Sequence, residues 1–267
     1  MSTYVRDYAV VQATEQDGGS PNGAKPSAVS AQIVLQPIAA PSVLGLFGFA
    51  GATLVVAAHQ AGWYGGATAA NYLFPFAAFF GGLAQFMAGM FAYKARDALA
   101  TAMHGMWGSF WMAYGLLNLL FVVGVLAPPS GAFVELGYWF IALAITTWIG
   151  AWAATASSGV LAAVLGFLAA GSTATAIADL IGNTGWSVLG GYLFLIAAVL
   201  AWYTGSALLA ASSFGREVLP IFQPASAKQT PAVSVGIGEP GVRRSRHDVA
   251  GGLRKRIAHP RRPHDEI

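Results

Sequence analysis

Six apolar runs, each about 19 to 26 residues long, dominate the chain between Pro41 and Ala211 and leave little room for any other kind of fold. They are expected near 42–62, 73–93, 101–126, 136–156, 159–181 and 186–211. A helix rises about 1.5 Å per residue, so about 20 residues cross the ~30 Å of hydrocarbon in a bilayer. Backbone groups in lipid must be satisfied within the protein, which leaves helices or closed barrels, and runs this long without polar alternation favour helices. Only 9% of the 267 residues are charged, against about 25% in a soluble domain, and the mean hydropathy is +0.59. The expected fold class is all-α, an integral membrane bundle of six transmembrane helices.

Orientation follows from the tendency of Lys and Arg to stay in the cytoplasm. The C-terminal tail carries Arg243, Arg244, Arg246, Arg254, Lys255, Arg256, Arg261 and Arg262. Lys94 and Arg96 lie in the break "KARD" between the second and third runs, and Arg216 follows the sixth. The break "APPSGAFVE" (127–135) has Glu135 but no Lys or Arg. Six spans put all the basic groups on one side, so both termini of this multi-pass protein are expected on the cytoplasmic face of the cell membrane.

Three regions follow. Residues 1–40 read as a disordered or loosely attached extension: the stretch "GGSPNGAKPS" is rich in turn formers, and Pro37 cuts the run "AQIVL" short of a signal-peptide core. Residues 41–221 form the six-helix transport domain. Residues 222–267 form a basic, Pro/Gly/Arg-rich cytoplasmic tail, an orientation signal with some attraction to anionic lipid. The lipid bilayer is a partner, and nucleic acid is not expected to be one.

Leaving a polar group unpaired in lipid is costly, so polar residues inside the runs are the functional candidates. They are His59, Gln85, His104, Asn118, Asp179 and Asn183. His59, Asp179 and Asn183 lie near helix ends, where a proton-linked role and simple contact with headgroups or water both remain open. His104, in the first turn of the expected third helix, reads as interfacial. Asn118 reads as an interhelical hydrogen bond worth about 1 kcal/mol. Gln85 sits near the middle of the second helix, with Gly81, Gly82 and Gly89 three or four residues away on the same face. Small residues let helix backbones approach, so Gln85 is expected in a close-packed junction or beside a narrow path. Gly45, Gly48 and Ala52 in the first helix, and Gly108 and Gly115 in the third, repeat the pattern.

Other classes of function are poorly served. The absence of cysteine removes disulfides, thiolate metal sites and thiol nucleophiles. There is no HExxH, no G-x-S-x-G elbow and no P-loop. No metal, no cofactor and no enzymatic activity are expected, and transport is the leading class.

Several segments then resemble one family, the acetate uptake transporters (the succinate–acetate permease group). "APSVLGLFGF" (40–49) is similar to the family signature N-P-A-P-L-G-L: Pro41, Leu44, Gly45 and Leu46 match this helix-start motif, while Ala40 replaces Asn and Val43 replaces the second Pro. "FFGGLAQFMAGMFAYK" (79–94) resembles the family's second helix and "GSFW" (108–111) its third. "IGN" (181–183) and "FGREVLPI" (214–221) match later segments in order, so the resemblance covers about 40–221. It implies a homohexamer with a pore through each six-helix protomer. The substrates would be acetate or related small carboxylates such as succinate, moved by a channel or by proton symport. It also implies a constriction at Phe49, Trp107 and Ser172 (or Thr173), with Trp where Tyr is usual and Ser where Leu is usual.

A site for acetate needs an apolar wall and a few donors. Phe49 and Trp107 are expected to supply the wall, and the Trp107 indole N–H and the Gln85 amide the donors. Pro41 begins a helix whose N-terminus attracts anions. Carboxylates, or their protonated acids, would pass in single file. Two rival readings stay open: a channel for a small neutral solute such as water or ammonia, and a non-transporting scaffold whose basic tail recruits partners.

Overall fold

A computed structural model describes residues 38–66 and 68–224; the N-terminal extension before residue 38 and the arginine-rich tail beyond 224 lie outside the described residues. Six helices are long and apolar enough to cross a membrane: α1 Pro41–Gln60, α2 Asn71–Ala95, α3 Ala98–Val122, α4 Val134–Ala154, α5 Gly159–Ile181 and α6 Thr184–Phe214. Among the described residues there is no strand.

The helix starts are set by short polar side chains that satisfy amide groups left open in the first turn. The Ala100 N–H donates to the Asp97 carboxylate at 2.9 Å, so α3 begins earlier than hydropathy alone places it. Ser158 Oγ accepts from the Leu161 N–H (3.2 Å) at the start of α5, and Asn183 Oδ1 from the Trp186 N–H (3.1 Å) at the start of α6. Helix α1 has no side-chain cap at Ala40, but Pro41 lacks an N–H and fits the first helical position.

Helix α2 is irregular, with Pro75 inside it and a wide π-helical stretch, Ala77–Ala84, before α-helix resumes at Gln85. Proline removes a ladder hydrogen bond, and π-turns rotate the residues that follow.

Sequence neighbours run antiparallel in a ring, and α6 packs along α1 to close it. Helices α2 and α3 touch backbone to backbone: a Cβ on Gly89 would lie 2.6 Å from the Gly105 nitrogen, and one on Gly108 would lie 2.5 Å from the Phe86 nitrogen. Gly48 faces the Phe80 carbonyl of α2, Gly81 faces Ala52 and Trp111, and Gly82 faces Met112. The contact between α3 and α4 is much thinner than the others between chain neighbours. Large apolar side chains such as Phe79, Trp139 and Trp152 point outward and are exposed, as a lipid-facing surface requires.

Candidate permeation path

Two cavities lie inside the ring. The first, about 380 Å³, lies toward the end of the bundle that carries the α2–α3 turn, and its lining includes Phe49, Gln85, Met103, His104, Trp107 and Leu168. The second, about 240 Å³, lies toward the other end, and its lining includes Thr53, His59, Trp107, Trp111, Leu168 and Asp179. Trp107 and Leu168 border both, so these two side chains stand where the cavities meet.

That partition is aromatic. Phe49 and Trp107 are almost fully buried and meet edge to face with centroids 6.4 Å apart. Trp107 makes similar contacts with Phe110 at 5.4 Å and Phe194 at 6.5 Å, the geometry that ring quadrupoles favour. Its indole Nε1–H donates to Thr147 Oγ1 across the α3–α4 seam (3.0 Å), and the Thr147 hydroxyl donates to the Leu143 carbonyl (2.6 Å). The Trp107 N–H is thus held by the protein, which corrects the expectation that it serves as a donor for the solute.

The polar side chains lining the first cavity include Gln85 and His104, besides Asp97, Ser158 and Thr204. Gln85 is 3% exposed and its amide oxygen has no hydrogen-bond partner. His104, expected at the interface, is 7% exposed and lines the cavity; the Asp97 cap puts it about two turns inside α3. Its ring lies on the α1 backbone, where a Cβ at Gly45 would come within 2.5 Å of the ring, and its Nδ1 is unpartnered. The capping aspartate was the sequence signal for that depth.

Other candidates fall elsewhere. Ser172 is fully buried and donates to the Leu168 carbonyl at 2.8 Å, while Thr173 is exposed, donates to the Ala169 carbonyl at 2.8 Å and accepts from Trp148 Nε1 at 3.3 Å. Helix α5 therefore presents Leu168, one turn before Ser172, to the partition. Asn118 donates to the Tyr114 carbonyl of its own helix (2.8 Å) instead of bridging two helices, and Asn183 is the exposed cap of α6. His59 lies 3.1 Å from the Tyr64 carbonyl. In the loop after α1, the Tyr64 hydroxyl donates to the Val55 carbonyl at 2.6 Å, and burial holds its pKa above the ordinary tyrosine value. Of the helix-start motif, Leu46 lines the first cavity, and Leu44 is 47% exposed.

Sequence reasoning missed Thr53, Trp111, Leu168 and Phe194 as cavity residues. Thr53 and Trp111 bury unpartnered polar atoms, a signal in principle, but threonine hydroxyls in apolar helices usually bond their own backbone. A leucine or phenylalanine in an apolar helix carries no signal at all.

Comparisons with known proteins point one way. A sequence profile described as the GPR1/FUN34/yaaH family matches residues 23–222. The succinate-acetate/proton symporter SatP of Escherichia coli is 28% identical over 186 residues, covering 69% of this chain and 95% of that protein. Ammonia transport outward protein 2 of Saccharomyces cerevisiae is 30% identical over 175 residues, and this chain spans 61% of its length. A solved structure of the bacterial acetate channel SatP superposes with a TM-score of 0.64 at 26% identity, covering 69% of this chain and 99% of that one. These relatives are transporters and channels, not enzymes.

Proposed function

This chain belongs to the GPR1/FUN34/yaaH family, a multi-pass membrane protein built to move small solutes, and we propose that it conducts acetate and related small carboxylates through each protomer. One observation carries the reading: cavities from opposite ends of the bundle meet at a partition only two side chains, Trp107 and Leu168, have in common. Apolar walls suit the methyl group, the unpartnered Gln85 Oε1 accepts and so suits the O–H of the undissociated acid, and His104 Nδ1 can accept or donate by tautomer. A bare carboxylate is expensive to desolvate, so an aromatic neck favours the neutral acid or a briefly dehydrated anion. The similarity to an acetate channel and a succinate-acetate/proton symporter supports the substrate class.

The finer assignments belong to the same proposal. Lys94, Arg96 and Arg216 support cytoplasmic termini in the cell membrane. The outward-facing aromatic surface is compatible with a homo-oligomer as well as with lipid.

Radiolabelled acetate uptake by the purified protein in liposomes tests the path, with and without a pH gradient and with succinate as competitor. Gln85→Leu should lower uptake roughly tenfold, the cost of an unmet polar contact, and Phe49→Ala should raise uptake while weakening discrimination by size. Uptake unchanged in both variants breaks the assignment. A second reading, passage of ammonia, is favoured by the yeast relative. Ammonia flux in the same liposomes with no acetate uptake would select it.

A further inference from the structure

Each cavity is bordered by one carboxylate, but Asp97 of the first is engaged as the cap of α3. The second is bordered by Asp179, in the last turn of α5. Asp179 Oδ2 is buried without a hydrogen-bond partner, and so are Thr53 Oγ1 on α1 and Trp111 Nε1 on α3, in side chains 3% and 5% exposed. All three residues line the same space. An indole N–H only donates, an ionised carboxylate only accepts, and a hydroxyl does either.

A solute that satisfies this set must both accept and donate hydrogen bonds. A carboxylate anion has no proton to offer Asp179 and is repelled by it. An ammonium ion has nothing to accept the Trp111 proton. Water, neutral ammonia and an undissociated carboxylic acid do both; of these only the acid has a hydrocarbon end for the apolar wall of Val56, Leu136 and Phe140. Two carboxyl groups close together in a low-dielectric site cannot both ionise, and one shared proton turns their repulsion into a hydrogen bond.

We propose that the second cavity is a binding station in which the permeating carboxylic acid and Asp179 share one proton, with Trp111 and Thr53 supplying further hydrogen bonds. The proton comes from solution as the solute binds and returns to solution when it leaves, so occupancy of the station is tied to one proton. This rests on the carboxylate reading above and adds its protonation state and its residues. The other titratable groups facing the cavity are His59 on α1 and Tyr114 on α3; α4 and α6 contribute Leu136, Phe140, Ser187 and Phe194, which do not titrate.

The test is acetate binding to the full chain in lipid nanodiscs, by calorimetry at about pH 7, where free carboxylic acids are ionised. Buffers of different ionisation enthalpy report the protons taken up per acetate bound. The expected result is about one proton for the unmodified protein and none for Asp179→Asn, whose amide can accept and donate without charge. Trp111→Phe and Thr53→Val should each weaken binding up to roughly tenfold while keeping the proton count, which also covers the case in which Asp179→Asn fails to fold. Binding without proton uptake overturns the station alone. So does a proton count that survives Asp179→Asn and is lost in His59→Gln. Absence of both acetate binding and acetate uptake overturns the carboxylate reading and the station together.

Discussion

On one face of α3, Gly108 and the facing Gly89 of α2 let the two backbones come into direct contact; on the other, Met103, Trp107 and Phe110 reach across a wider gap to α4. At Gly89 and Gly108 the nearest atoms are backbone, so a side chain added at either must move a whole helix. The second is bridged by the Trp107–Thr147 hydrogen bond, the Phe110–Phe140 ring pair with centroids 5.3 Å apart, and Met103 laid over Gly150. Side chains can change rotamer without moving the backbone. The comparison teaches that the ring is held on the glycine face, while the aromatic face, whose side chains can repack, borders both cavities.

Substitutions can break or sharpen that contrast. The largest effect is expected from Gly108→Leu, because even a Cβ there would lie 2.5 Å from the Phe86 nitrogen. Overpacking of this kind costs about 3 kcal/mol, and the protein should lose its sharp size-exclusion peak and its thermal transition. A stable, monodisperse variant would show that the α2–α3 contact is not rigid. Trp107→Ala comes next. It should destabilise less than its burial suggests, since the site adjoins two existing cavities, and it should join them into one path. Acetate uptake should rise, and succinate should compete better than it does in the unmodified protein; unchanged uptake would place the neck elsewhere. Thr147→Val is the mildest. It removes one hydrogen bond worth about 1 kcal/mol and should leave the fold intact while loosening the indole, seen as a small drop in melting temperature with a small gain in flux.

The same contrast explains what was legible beforehand. Helix positions could be read within a few residues from apolar run length, and the packing glycines from their spacing. The site was legible only in part. Phe49, Gln85 and Trp107 border the cavities, but the α5 contribution falls at Leu168 instead of Ser172 or Thr173, and the Trp107 N–H is already taken. His104 was misplaced because hydropathy ignores the Asp97 cap that starts α3 early. The π-helical stretch of α2 changes which residues share a face, and nothing short of the helix itself reveals it.

The sequence by itself determined that this chain crosses a membrane six times as helices, because lipid offers a backbone no hydrogen-bond partner and each apolar run is one bilayer thick. Only the tertiary structure decided which side chains meet. That depends on how each helix is rotated about its axis. A run of alanine, leucine and phenylalanine looks the same from every side, so one turn, Leu168 or Ser172, separates a side chain that borders both cavities from a buried hydroxyl bonded to its own helix.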